Sequence, residues 1–221
     1  MKKILYLITA LITAGLLSSC AGLITLKTPE ITGGKIEKAK YVPKKPPALF
    51  EDFEAGTLVG AYTYANTAAS AWSKYLISEP GKDEAKNGRY CAKAEFFTGS
   101  DSAWGCGFGS QSVYGGGFVD AKDREYLSVW IKAPAGMKFH IFVNEAQANG
   151  ADGEYWNSMD QTGAGDWKLY DIALDTFYKN VYSGSQSGNN MVDAGGIGTV
   201  GLQVGGAQGE GVIYIDDITF R

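Results

Sequence analysis

Residues 126–143 read "YLSVWIKAPAGMKFHIFV". Leu127, Val129 and Ile131 alternate with Ser128, Trp130 and Lys132. After Pro134-Ala135-Gly136, Phe139, Ile141 and Val143 alternate with His140, Phe142 and Asn144. Alternation of period two over this length is the signal of a half-buried strand, and the Pro-Ala-Gly insert is turn chemistry. The stretch therefore predicts two strands joined by a short turn.

The same pattern extends outward in both directions. "TVGLQVGG" (199–206) sets Val200, Leu202 and Val204 against Gly201, Gln203 and Gly205. "RYCAKAEFF" (89–97), "DWKLYDIAL" (166–174) and "GVIYIDDITF" (211–220) are further strand candidates. No segment beyond Leu49 sustains a helical apolar stripe over a dozen residues. Many short strands separated by glycine, asparagine, aspartate and serine predict an all-β chain, folded as a two-sheet antiparallel β-sandwich.

The N-terminal region reads differently. Lys2 and Lys3 precede a largely apolar run from Ile4 to Leu17, and small residues lead to Cys20. A basic start, a short apolar run and small residues form an export signal, too short to span a bilayer. Leu17-Ser18-Ser19-Cys20 resembles the bacterial lipobox, which implies cleavage before Cys20 and lipidation of that thiol. One acyl chain binds a membrane only marginally, whereas several anchor it. Residues 1–19 are thus expected to be a lipoprotein signal peptide. Ala21 stands where lipoproteins retained in the inner membrane usually carry aspartate, which implies the outer membrane or cell surface.

Residues 20–48 are rich in lysine and proline and poor in large apolar groups, so they read as a lipidated tether. The folded body is expected at 49–221. Its charge is uneven relative to the tether: residues 20–49 carry six lysines and two glutamates, residues 50–221 carry 12 basic and 22 acidic residues. An acidic body excludes nucleic acid as a partner, since phosphates need a basic footprint.

Catalytic motifs are missing. His140 is the sole histidine, and no GxSxG elbow, HExxH zinc motif or phosphate loop occurs. A glycosidase needs two carboxylates about 5–10 Å apart, and the acids here form no ExDxxE strand. The chain reads as a non-enzyme.

The order "LFEDFEAG", "NGRYCAKAEF", "YLSVWIKAPAGMKFHIFV", "GDWKLYDIAL", "GVIYIDDITF" resembles the galactose-binding-like jelly rolls. Within them it is similar to family 11 carbohydrate-binding modules and to complex I intermediate-associated protein 30 domains. The resemblance spans about residues 48–221. It implies polysaccharide binding, with a β-glucan-like ligand on a concave sheet, or alternatively an assembly role holding envelope protein partners. It also implies a structural calcium ion near the first and last strands. Glu54 and Asp216 match that pattern best, with Asp52 and Asp217 as neighbours. Trp130 and Trp167 fall where such folds pack a tryptophan.

Sugars need flat rings to stack on and polar groups to fix hydroxyls. Trp72, Trp104, Tyr155 and Trp156 lie in glycine-rich and polar surroundings, and His140, Asn144 and Gln203 alternate away from the presumed core. These seven are the candidate ligand-binding residues. Cys91 and Cys106 are either a disulfide, if the chain turns tightly at Thr98-Gly99, or two buried free thiols.

Overall fold

The computed structural model describes residues 45–99 and 104–221. The expected signal peptide, Cys20 and residues 20–44 of the expected tether lie outside the described residues. In chain order the strands are β1 (Ala48–Glu51), β2 (Val59–Ala65), β3 (Trp72–Ile77), β4 (Ala92–Thr98) and β5 (Cys106–Gln111). They continue with β6 (Tyr126–Lys132), β7 (Lys138–Glu145), β8 (Glu154–Asn157) and β9 (Gln161–Thr162). The last four are β10 (Trp167–Ala173), β11 (Tyr178–Gly184), β12 (Ile197–Val204) and β13 (Gly209–Phe220).

They form two antiparallel sheets, a jelly-roll sandwich as expected. The first has the order β10-β6-β13-β4-β3, with β1 also on β13. The second has the order β11-β8-β7-β12-β5-β2, with β9 on β7. The alternation seen in the sequence decides the core. Leu127, Val129 and Ile131 from the first sheet are fully buried, as are Ile141, Val143 and Val204 from the second. The phenylalanines Phe50, Phe53, Phe96, Phe108, Phe139 and Phe220 fill the space between. Burying each such side chain contributes roughly 1.5–3 kcal/mol.

The last strand serves two partners in turn. Gly209 to Ile215 pair with β4, and Ile218 to Phe220 pair with β1. Between them the register slips after Asp216, and Asp217 takes a positive φ of 45°. The slip is a β-bulge, which re-aims side chains by one residue. Ile213 and Ile215 face the core before it, Ile218 and Phe220 after it, and Asp216 is fully buried.

The two thiols are free, so the disulfide alternative is corrected. Cys91 precedes β4 in the first sheet, and its N–H donates to Ser78. Cys106 opens β5 in the second sheet, close to Ser73, whose hydroxyl donates to the Gly107 carbonyl. Ser73 and Ser78 are five positions apart on one extended segment, about 16 Å. A disulfide needs Cα atoms within about 7 Å. Burial pushes both thiols up to about 11, so they behave as small core hydrophobes.

Candidate functional site

Residues paired directly across an antiparallel sheet point to the same face. The outer face of the second sheet can therefore be read row by row. One row runs Tyr62, Gly109, Gly201, Phe142, Asn157, Tyr178 across β2, β5, β12, β7, β8 and β11. A second runs Tyr64, Gly107, Gln203, His140. A third holds Thr199, Asn144 and Tyr155. None of these positions carries a charge.

The glycines let the rings lie down. A Cβ on Gly107 would stand 2.2 Å from Tyr64 Cζ, and one on Gly201 would stand 2.3 Å from Phe142 Cζ. Tyr64 thus reaches over β5, and its hydroxyl donates to Gln203 Oε1 at 2.8 Å on β12. Phe142 lies over β12 and is almost fully covered. Tyr62 and Tyr64 are near-parallel, with ring centres 6.4 Å apart, and Trp104 continues the row 6.1 Å from Tyr64. Trp104 is 44% exposed, and Tyr62 and Tyr64 are half-buried. The result is an aromatic platform on a glycine floor.

Two of the expected polar groups hold this platform in place. Asn144 Nδ2 donates to the Tyr62 hydroxyl at 3.0 Å. Gln203 accepts from Tyr64, and its Nε2 donates to the Trp104 carbonyl at 2.9 Å. Burial raises the tyrosine hydroxyls well above their ordinary value, so they stay neutral donors. Burial also pulls the His140 imidazole below its ordinary value, against the opposing influence of Asp160 and Gln203. Its Nε2 is buried and, among the described residues, has no hydrogen-bond partner.

The structure thus brings together five expected residues: Trp104, His140, Asn144, Tyr155 and Gln203. It separates the other two. Trp156 pairs with Val143 and points inward, 4% exposed, with its indole N–H on Glu145 Oε1 at 2.8 Å. Trp156, Leu174 and Phe177 line a concavity of about 590 Å³ between the sheet edges, away from the platform. Trp72 sits on the outer face of the first sheet, beside Phe97, with the Lys74 ammonium 5.6 Å from its ring centre. Tyr62, Tyr64 and Phe142 were not among the candidates. The tyrosines stand as Tyr-x-Tyr in "YTY" (62–64), which the sheet sets opposite Gly-x-Gly in "GFG" (107–109).

The acids expected to hold calcium have other partners. Glu54 Oε1 accepts from the N–H groups of Arg89 and Tyr90. Asp216 Oδ2 accepts from those of Lys86 and Asn87, and Oδ1 from that of Asp217. Asp52 Oδ1 accepts from the Glu54 N–H and the Tyr114 hydroxyl. The segment 86–90 is thus folded onto Glu54 and Asp216 by backbone donors. A calcium site needs six to eight converging oxygens. Among the described residues no three acidic, histidine or cysteine groups gather as a metal set.

Neither a family model nor a curated protein matches the sequence. Solved structures do match the fold. One is the family 11 carbohydrate-binding module from Clostridium thermocellum in complex with a β-1,3-1,4-mixed-linked tetrasaccharide. It is 16% identical, with a TM-score of 0.56 over 79% of this chain and 94% of that one. Another is the family 11 module of a cellulosomal cellulase of Clostridium thermocellum, 17% identical, with a TM-score of 0.57 and the same coverage. A family 30 module from a cellulosomal cellulase of that organism is 15% identical, with a TM-score of 0.51 over 80% of this chain and 98% of its own. At these identities the likeness is one of fold.

Proposed function

We propose that this protein is a non-catalytic, lipid-anchored surface protein that binds polysaccharide on the outer face of its second sheet. The observation that carries the reading is the Tyr62, Tyr64 and Trp104 row laid on glycines and flanked by amide, hydroxyl and imidazole groups. Sugar rings present flat C–H faces to such rings, and their hydroxyls take the flanking polar groups. The three rows hold no carboxylate, so they offer no acid pair for glycoside hydrolysis. The shared fold with carbohydrate-binding modules, one of them solved with a β-1,3-1,4-mixed-linked tetrasaccharide, supports a β-glucan-like ligand.

Anchoring rests on Leu17-Ser18-Ser19-Cys20. Lipid on Cys20 and a basic tether would present the platform at the outer membrane or cell surface. Cys20→Ala is expected to move the protein into the soluble fraction, and unchanged membrane retention of a cleaved chain overturns the anchor.

Binding by a few stacked rings must offset the ordering of a flexible ligand. The expected dissociation constant is micromolar to millimolar, about −8 to −4 kcal/mol. Affinity electrophoresis and titration calorimetry against soluble β-glucans, mannans and xylans test the reading. Tyr64→Ala and Trp104→Ala should each weaken binding about fivefold or more with the fold retained. Wild-type protein that no polysaccharide retards, but that co-purifies with one envelope protein, moves the function to the assembly reading.

A further inference from the structure

The outer face of the first sheet holds chemistry that the second sheet lacks. Trp167 on β10, Lys132 on β6 and Tyr214 on β13 stand directly opposite one another. Two strand spacings would set the outer pair about 9.6 Å apart. Their ring centres are 6.4 Å apart, so both rings lean over Lys132. Two residues back along β6, Trp130 takes the same face, with Leu169 opposite it on β10 and 39% exposed. A second ammonium comes from the segment before β4, where Lys86 Nζ lies 4.4 Å from the centre of the Trp130 ring.

The lysines of this face are of two kinds. Lys93 is matched by Asp83 and Glu95, and Lys74 faces Glu95 at 3.9 Å. Lys86 and Lys132 form no ion pair among the described residues. Asp216, opposite Trp130 on β13, is fully buried, and its oxygens accept backbone N–H groups. Two unmatched ammonium groups therefore stand together on a body that is acidic as a whole, and they select an anion. Trp167 Nε1 is covered and has no hydrogen-bond partner among the described residues, which leaves a donor for an incoming oxygen. The apolar surface beside the lysines decides which anion. A uronic acid carries a flat C–H face and a carboxylate on the same ring, whereas an acidic peptide carries its carboxylates on flexible stems with no such face. We infer that the outer face of the first sheet is a second glycan site, for an acidic polysaccharide. Its uronate ring lies on Trp167 and Leu169, with its carboxylate on Lys86 and Lys132. This site is separate from the Tyr64 platform and does not rest on the reading proposed for it.

The test is calorimetric titration with polygalacturonate, alginate, methyl-esterified polygalacturonate and poly-glutamate, on wild-type protein, Lys86→Gln, Lys132→Gln, the double variant and Tyr64→Ala. Glutamine keeps most of each stem and removes the charge, and a thermal melt checks that the fold is retained. At least one of the two uronate polymers should bind the wild type, and each single variant should weaken that binding about fivefold or more. The double variant should abolish it, while Tyr64→Ala leaves it unchanged. Affinity for the uronate polymer should fall about fivefold or more between 0.05 M and 0.5 M salt, and the esterified polymer should bind far more weakly. The inference is overturned if neither uronate polymer binds, if the double variant binds as wild type, or if the esterified polymer binds equally well. Poly-glutamate that binds as tightly as the uronates also overturns it, because the rings then contribute nothing and the face is one for acidic protein. A β-glucan titration of the same double variant keeps the two sites apart: its loss of uronate with β-glucan affinity unchanged supports two sites, and loss of both overturns the second.

Discussion

Asp216 is fully buried, yet three backbone N–H groups point at its carboxylate. Burial outweighs those donors and raises it from 3.8 to about 7. A carboxyl that holds its proton more tightly when folded contributes stability while protonated. That contribution is complete below about pH 4 and is lost as pH rises through about 7. Thermal stability is therefore expected to fall between pH 5 and pH 8. Each decade of proton affinity is worth about 1.4 kcal/mol, so the loss amounts to a few kcal/mol. Asp216→Asn keeps an acceptor for Lys86 and Asn87 and removes the titration. Its melting profile should be flatter over that window, and a profile parallel to wild type refutes the assignment. Trp156 makes the opposite point about exposure. Its indole is core and satisfies Glu145, so Trp156→Ala should cost about 3–5 kcal/mol in a urea melt. Glycan affinity of the folded fraction should stay unchanged, whereas Trp104→Ala should show the reverse pattern.

At the scale of elements, β5 and β12 build the platform by what they omit. The atoms nearest a Cβ at Gly107 are the far end of the Tyr64 side chain, which can swing away. A Cβ at Gly201 meets the Phe108 carbonyl at 2.3 Å, which is backbone and cannot. Gly107→Ala should therefore displace the ring, weakening glycan binding about fivefold with a small change in melting temperature. Gly201→Ala should chiefly destabilise, by about 1–3 kcal/mol, the usual cost of overpacking. Calorimetry and melts of the two variants separate these outcomes. The strands β6, β7 and β12 were legible because their apolar positions alternate without interruption. β2 was not, because its inward partners Ala61 and Thr63 are small and exposed, leaving no apolar alternation to read. Tyr155 and Trp156 share the same polar surroundings in the sequence, but β8 is a strand, and neighbours on a strand face opposite ways. The bulge at Asp216 had no signature beyond two adjacent acids. The pairing of Cys91 with Cys106 depended on a turn at Thr98-Gly99, which instead leads from one sheet into the other.

At the scale of the molecule, the two outer faces differ in charge although the body is acidic as a whole. On the first sheet one row reads Trp167, Lys132, Tyr214, Lys93, Leu76, and the next sets Val212 beside Glu95 and Lys74. Rings and ions alternate there, and Lys93 pairs with Asp83 at 3.3 Å and Glu95 at 3.6 Å. On the second sheet the three rows are aromatic, amide, hydroxyl, imidazole and glycine only. Contacts between exposed charges weaken as salt shortens the Debye length from about 14 Å to about 4 Å between 0.05 M and 0.5 M. Stacking and neutral hydrogen bonds are not screened in this way. A polysaccharide held on the second face should therefore bind with affinity changed less than about twofold across that range, by calorimetry at fixed pH. A partner docked on the lysine-bearing first face would lose affinity steeply. Tenfold weaker glycan binding at high salt would place the ligand on the charged sheet, and Lys93→Ala and Lys132→Ala, rather than Tyr64→Ala, would then abolish it.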